Sequence, residues 1–82
     1  MADTILPYNL WRAITKSDTV NFKEGLCDAV YCGSTGNIVL VMQDDSAVTF
    51  TGVFTGEILP VACKRVNSTN TTVTGMVALY VR

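Results

Sequence analysis

The amino-acid sequence predicts a small all-β protein, an antiparallel meander that closes as a β-barrel or a two-layer sandwich, with an extended N-terminal arm. Five apolar segments of strand length follow one another between Leu26 and Val81. Turn-forming Gly, Asn, Asp, Ser and Thr residues separate them, and no segment shows a periodicity of about 3.6 residues over the length that a helix needs. We therefore divide the chain into an N-terminal arm, residues 1–16, and one β-domain, residues 17–82.

The first half of the β-domain contains four candidate strands. A short strand is predicted over 20–22, and longer ones over 26–32, 37–43 and 47–53. The strand 37–43 is the most apolar, because residues 38–42 are all apolar. Such a run indicates cover on both faces, by the protein interior on one side and a neighbouring subunit on the other.

Two further strands complete the prediction. The segment 57–66 contains Pro60, which has no backbone donor, so this strand starts late or lies at a sheet edge. The last strand, 71–81, is expected to point Val73, Val77 and Leu79 inward, and its Gly75 is expected to mark a bulge.

The N-terminal arm is aromatic and apolar without a strand or helix periodicity. Pro7 biases the residue before it toward an extended conformation. We interpret the arm as an anchor that docks on another protein, with Trp11 as its largest side chain; the alternative is that Trp11 caps the open end of the core. The candidate partner-binding residues of the arm are Leu6, Tyr8, Leu10, Trp11 and Arg12.

Composition favours association with further subunits. Of the 82 residues, 49% are hydrophobic and 16% are charged, which is more apolar material than a small free monomer needs. A tightly packed monomer is the alternative. The candidate inter-subunit residues are Val39, Val41, Leu59, Pro60, Lys64, Arg65 and Tyr80.

Charge and hydropathy argue against nucleic acid and membrane as partners. The formal net charge is −1, whereas non-specific nucleic-acid binding depends on Lys and Arg. No apolar run approaches the ~18 residues of a membrane-spanning helix, and the N-terminus lacks the pattern of a secretion signal. A small nucleic-acid-binding barrel of the OB type remains the alternative from another functional class.

The sequence offers no catalytic site, so we predict that the protein is not an enzyme and needs no metal or cofactor. Histidine is absent, which removes the commonest general base and metal ligand. The adjacent Asp44 and Asp45 lack the further oxygen ligands of a calcium loop.

The three cysteines, Cys27, Cys32 and Cys63, are an odd number, so they cannot form a closed intrachain framework. We expect small buried apolar residues and no disulfide within the chain. An inter-subunit disulfide or a Cys27–Cys63 bond is the alternative.

Several motifs in succession resemble a family of small virion proteins. They are Ala29-Val30-Tyr31 with Gly33 and Gly36-Asn37, Val48-Thr49-Phe50 with Val53 and Gly56, Ile58-Leu59-Pro60-Val61, Lys64-Arg65-Val66, and Thr71-Thr72 followed by Val77-Ala78-Leu79-Tyr80. Together they resemble the head-spike base proteins of phages and gene transfer agents over residues 17–80. Ala62, Asn70 and the cysteines depart from the family pattern.

The resemblance implies a structural role on the surface of a capsid. Copies of the chain would form a homo-oligomeric ring, a pentamer or trimer, as the base of a head spike or fibre. The implied partners are the major capsid protein and a spike or fibre protein, and the chain would be made in a bacterial host cytoplasm before it enters the virion. A decoration or cement protein that bridges major capsid subunits is the alternative within the same class.

Overall fold

The computed structural model describes residues 8–82, which form seven strands in two antiparallel sheets. The strands are β1 (Leu10–Ala13), β2 (Ala29–Tyr31), β3 (Gly36–Val41), β4 (Ala47–Val53), β5 (Ile58–Leu59), β6 (Arg65–Val66) and β7 (Val77–Tyr80). One sheet has the order β1-β7-β2-β5 and the other has the order β4-β3-β6. Among the described residues there is no helix, and accordingly none that could cross a membrane.

The two sheets make the protein a two-layer sandwich, which confirms the all-β class and decides between its two predicted forms. The sheets do not join into a barrel. The core contains side chains from both of them, including Val30 and Tyr80 from one sheet and Ile38, Leu40 and Val66 from the other. Each sheet therefore buries one apolar face against its partner.

The strand order is not the up-and-down meander that the short links suggested. Only β3 and β4 are both consecutive in the chain and paired with each other, while β7 lies between β1 and β2. The chain passes between sheets after β2, β4, β5 and β6. These strands are only two to seven residues long. Successive apolar segments of the chain therefore join different sheets, and each sheet covers the apolar face of the other.

Several predicted strands are absent or shorter than expected, including the last one, which was predicted over 71–81 and is observed over Val77–Tyr80. The segment 20–22 is not a strand, although the Phe22 N–H donates to the Lys64 carbonyl at 2.8 Å. The segment 26–32 is a strand only over Ala29–Tyr31. The segment 57–66 is divided into β5 and β6 by irregular backbone that begins at Pro60, which has no N–H to give to a ladder.

Strand β3 is buried on both faces, as predicted, but the cover comes from the same chain. Ile38 and Leu40 belong to the core, and Val39 and Val41 on the opposite face are buried as well. A neighbouring subunit is therefore not needed to shield Val39 and Val41.

The inward face of β7 is the reverse of the prediction. Ala78 and Tyr80 are buried, whereas Val77 and Leu79 are half-exposed. The predicted bulge is also absent, because Gly75 lies before the strand, with a positive φ of 64°. All four residues of β7 are apolar or aromatic, so alternation alone cannot tell which pair points inward.

The described part of the expected N-terminal arm is joined to the sheet. Leu10–Ala13 form β1, which pairs antiparallel with β7 at the edge of the four-stranded sheet. Leu10 packs against the core. Leu6 lies outside the described residues.

Candidate interaction surface

The outer side of the four-stranded sheet carries an apolar groove of about 360 Å³. The pairing register places Trp11 opposite Leu79, and Tyr31 opposite both Val77 and Ile58. Residues paired in this way point to the same face of a sheet. We call this surface the aromatic face, which consists of Tyr8, Trp11, Tyr31, Ile58, Val77 and Leu79.

Trp11 is the most prominent side chain of the aromatic face. It is 64% exposed, and its indole N–H donates to the Tyr8 carbonyl at 2.6 Å. This bond satisfies the only polar atom of the side chain, so the indole presents an apolar surface at a fixed position. The structure therefore places Trp11 neither over the core nor on a separate arm, but on a strand whose backbone is already paired.

The aromatic face has no charged side chain among its lining residues. Binding of single-stranded nucleic acid needs cations beside the stacking aromatic rings. Arg12 does not supply one, because it alternates with Trp11 along β1 and its Nε lies 3.0 Å from Oε2 of Glu24. The surface is suited to an apolar protein partner rather than to a phosphate backbone.

A second apolar concavity lies at the three-stranded sheet. This cleft, which we call the apolar cleft, has a volume of about 280 Å³ and is lined by Leu40, Met42, Val48, Phe50, Val61, Ala62 and Cys63. Met42 and Val48 are exposed at its rim, whereas Leu40 and Cys63 are buried. The cleft is thus a route from solvent to one end of the core.

Four of the predicted inter-subunit residues are internal to the chain. Val39, Val41, Leu59 and Tyr80 are buried, so their side chains are not presented to a neighbour. Pro60 is exposed beside Ile58 of the aromatic face. Tyr80 also has Arg82 stacked on its ring, 4.7 Å from the centroid.

The two basic candidates, Lys64 and Arg65, have partners within the chain. Lys64 forms an ion pair with Asp45. Arg65 donates from Nε to Asn67 Oδ1 and from Nη1 to Asn21 Oδ1, both at 3.0 Å. These contacts hold both side chains against neighbouring loops of the same chain, and a contact of either one with a neighbouring subunit stays a prediction.

Two of the three cysteines, Cys27 and Cys63, lie side by side, and Cys32 lies apart from them. All three thiols are free and buried. Cys27 Sγ and Cys63 Sγ are 3.5 Å apart, while burial raises the pKa of the Cys32 thiol. Within residues 8–82, no group of three or more acidic or cysteine side chains is placed to hold a metal ion.

The sequence reasoning identified two residues of the aromatic face, Tyr8 and Trp11, and missed the other four. Val77 and Leu79 were assigned to the core, while Tyr31 and Ile58 were named in the motifs of the resemblance but not among the candidate contact residues. No local signal in the sequence identifies them, because the pairing of β7 with a strand on each side decides which β7 side chains share a face with Trp11 and Tyr31.

Comparison with known proteins points to a capsid particle. No protein-family model matches the chain, and no curated protein matches its sequence. A solved structure does: a chain in the capsid of a native gene transfer agent (GTA) particle computed with C5 symmetry. The two chains are 37% identical with a TM-score of 0.80, and the match covers 89% of this chain and 83% of that one.

This agreement in both sequence and fold shows common descent and not only a shared β-sandwich. Both chains are covered over more than four-fifths of their length, so the match is not confined to one motif. The chain therefore belongs to a family of structural virion proteins of phage-like capsid particles that includes this gene transfer agent protein.

Proposed function

We propose that the protein is the oligomeric base of a head spike or fibre, assembled as a ring on the capsid surface of a tailed phage or gene transfer agent. The observation that carries the proposal is the match to a chain of a GTA capsid computed with C5 symmetry. A ring of identical subunits around a rotation axis is the simplest arrangement that such symmetry permits. The major capsid protein and a spike or fibre protein would then be its two other partners.

The aromatic face is the surface that we assign to the contact with a second copy of the chain. It is apolar, uncharged and built on paired strands, so little conformational entropy is lost when it is covered. Since it carries no charge, two copies of the same acidic chain can approach it without like-charge repulsion. Pro60 is exposed two positions after Ile58 and keeps its place as a candidate contact.

Trp11 provides the test of this contact. About 64% of its surface is exposed, and a tryptophan offers up to about 250 Å². Covering it would remove about 160 Å² from water, which gives an upper bound of about 4 kcal/mol. A buried aromatic anchor is typically worth about 2 kcal/mol or more, so Trp11→Ala should weaken each subunit contact by about 30-fold or more.

The experiment compares the molar mass of wild type, Trp11→Ala and Phe54→Ala by size-exclusion chromatography with light scattering. Phe54 is a matched control because it is 69% exposed but lies off the aromatic face. We expect the wild type and Phe54→Ala to be oligomers well above 8.9 kDa, and Trp11→Ala to be a folded monomer. An unchanged oligomer of Trp11→Ala would remove the aromatic face from the ring contact. A wild-type monomer would contradict self-association.

A decoration protein that bridges major capsid subunits is the second candidate, because the matching structure is described only as a capsid. Copy number separates the two. A spike base confined to symmetric vertices would be present in roughly tens of copies per particle and a decoration protein in roughly hundreds. Quantitative mass spectrometry of purified particles measures this, and absence of the chain from them would exclude both.

A further inference from the structure

Cys27 and Cys63 lie side by side on the segments that lead into β2 and β6. Their sulfur atoms are 3.5 Å apart, and the Cys27 N–H donates to the Cys63 carbonyl at 3.1 Å. This backbone bond holds the two residues at the spacing of adjacent strands, about 4.5–5.5 Å between α-carbons. Disulfides span about 4.4–6.8 Å between α-carbons, a range that contains the spacing expected from this backbone bond.

We propose that Cys27 and Cys63 are a redox pair, free in the cytoplasm of the producing cell and joined as an intrachain disulfide once the particle is outside it. The change in environment rests on the assignment to a virion, whereas the ability to form the bond rests on this chain alone. The sulfur atoms must approach by about 1.5 Å to reach a bond length of about 2.0 Å. Rotation of the two side chains can supply this movement without a change of strand pairing.

The oxidant that we assign is a low-molecular-weight disulfide. The thiolate of one cysteine attacks it, forms a mixed disulfide and releases one small thiolate. The second cysteine, as its thiolate, attacks the protein sulfur of the mixed disulfide and releases the second small thiolate. In total, two protein thiols become one protein disulfide, one small disulfide becomes two small thiols, and the protons pass to the released thiolates.

Access and ionisation both favour this pair over the remaining cysteine. Cys63 lines the apolar cleft, which leads from solvent to the pair, and local opening at the rim residues Met42 and Val48 would admit a small reagent. The Cys63 S–H can donate to Cys27 and lowers the pKa of the Cys27 thiol to about 7. The same sharing of one proton, together with burial, raises the pKa of Cys63. The pair can therefore supply a thiolate at neutral pH.

The bond would join the two layers of the sandwich. Cys27 precedes β2 of the four-stranded sheet, and Cys63 precedes β6 of the three-stranded sheet. The cysteines are 36 positions apart, so the closed loop includes β2, β3, β4 and β5. Closure of a loop of this size restricts the unfolded chain and raises the melting temperature.

The test begins with purified full-length protein that is reduced and then exposed to oxidised glutathione at neutral pH. We expect an intact mass lower by two hydrogen atoms, a Cys27–Cys63 cross-linked peptide in a non-reducing digest, and a melting temperature higher by at least about 10 °C. Cys32→Ala should behave in the same way, because Cys32 is buried outside the pair. Cys63→Ala should show neither the mass change nor the temperature shift.

Three results would overturn the proposal: a stable glutathione adduct without loss of the two hydrogens, a cross-link that involves Cys32, or an unchanged mass after prolonged oxidation. If Cys63→Ala does not fold, alkylation mapping of the wild type before and after oxidation gives the same information. Alkylation mapping of purified particles is a separate arm. Thiols that remain free in particles, with a disulfide formed in the purified protein, would refute the extracellular switch and leave the particle assignment intact.

Discussion

Gly33 is a position where one added methyl group would meet the backbone of the segment before β7. A Cβ at Gly33 would lie 2.5 Å from the Gly75 carbonyl oxygen and 2.6 Å from the Thr74 carbonyl oxygen. Because both atoms belong to the backbone, no side-chain rotation can relieve the contact. The segment before β7 would have to move by several tenths of an ångström, although the Thr74 N–H is held by Ser34 Oγ at 2.9 Å.

We expect Gly33→Ala to lower the free energy of unfolding by about 1–3 kcal/mol, the usual cost of overpacking a well-packed site. Alanine also lowers the conformational entropy of the unfolded chain, which raises the free energy of unfolding by about 0.4–1 kcal/mol. The mid-range values of the two effects, about 2 and about 0.7 kcal/mol, leave a net loss of about 1.3 kcal/mol. For a domain of this size, that loss lowers the melting temperature by roughly 5–10 °C.

Gly52→Ala is the matched control. Nothing lies within 4 Å of a Cβ at Gly52, but its φ of +74° is in the left-handed region, so alanine there costs about 1–2 kcal/mol from backbone conformation alone. The two causes are separable by a second substitution, Ser34→Ala, which releases Thr74. This release should reduce the penalty at Gly33 and leave the penalty at Gly52 unchanged. Chemical denaturation measures the three single variants and the two double variants that combine Ser34→Ala with Gly33→Ala or with Gly52→Ala. A Gly33→Ala protein as stable as the wild type would refute the close approach.

Two pH-dependent effects are also expected. Burial raises the pKa of Tyr80 to about 12, so the folded state keeps the phenol proton above pH 10, where the unfolded chain begins to lose it. The free energy of unfolding should therefore fall between about pH 10 and 12. Tyr80→Phe should show a smaller fall over the same range. Hydrogen bonds from the side chain and backbone of Thr69 lower the pKa of Asp18. The corresponding stability is present above the ordinary pKa of 3.8 and is lost as pH falls through the lowered value. Asp18→Asn should flatten this acid dependence in thermal unfolding, and an identical acid profile would contradict the Asp18–Thr69 contact.

Strands were predicted correctly where the pattern of apolar and polar residues fits only one arrangement. Strand β4 was predicted with its observed bounds, 47–53, because apolar residues alternate with threonine and a turn lies at each end. The all-β class followed from the same periodicity along the chain. Cover on both faces of β3 also followed from its apolar run, but the prediction assigned the cover of Val39 and Val41 to a neighbouring subunit, whereas they are buried within the chain.

The inward face of β7 could not be predicted, because Val77, Ala78, Leu79 and Tyr80 are apolar in both phases of a strand. The structure resolves the ambiguity through Tyr80, which is fully buried and whose neighbour Val81 donates its N–H to Asp28 Oδ2 at 2.6 Å. Such a long-range bond leaves no local trace in the sequence. The assignment of Val77 and Leu79, which are two of the six residues of the aromatic face, depends on this choice.

The surplus of apolar residues that suggested association is not spread over the whole surface. Some of these apolar residues are buried in the interior, since β3 is buried on both faces. Another part is concentrated on the aromatic face, where residues from β1, β2, β5 and β7 are brought together from positions up to about 70 residues apart in the sequence. This surface exists only while the four strands of the sheet β1-β7-β2-β5 are in register, so unfolding of that sheet would remove it. Assembly through the aromatic face would therefore select folded subunits, since a partner that binds only the folded state stabilises that state.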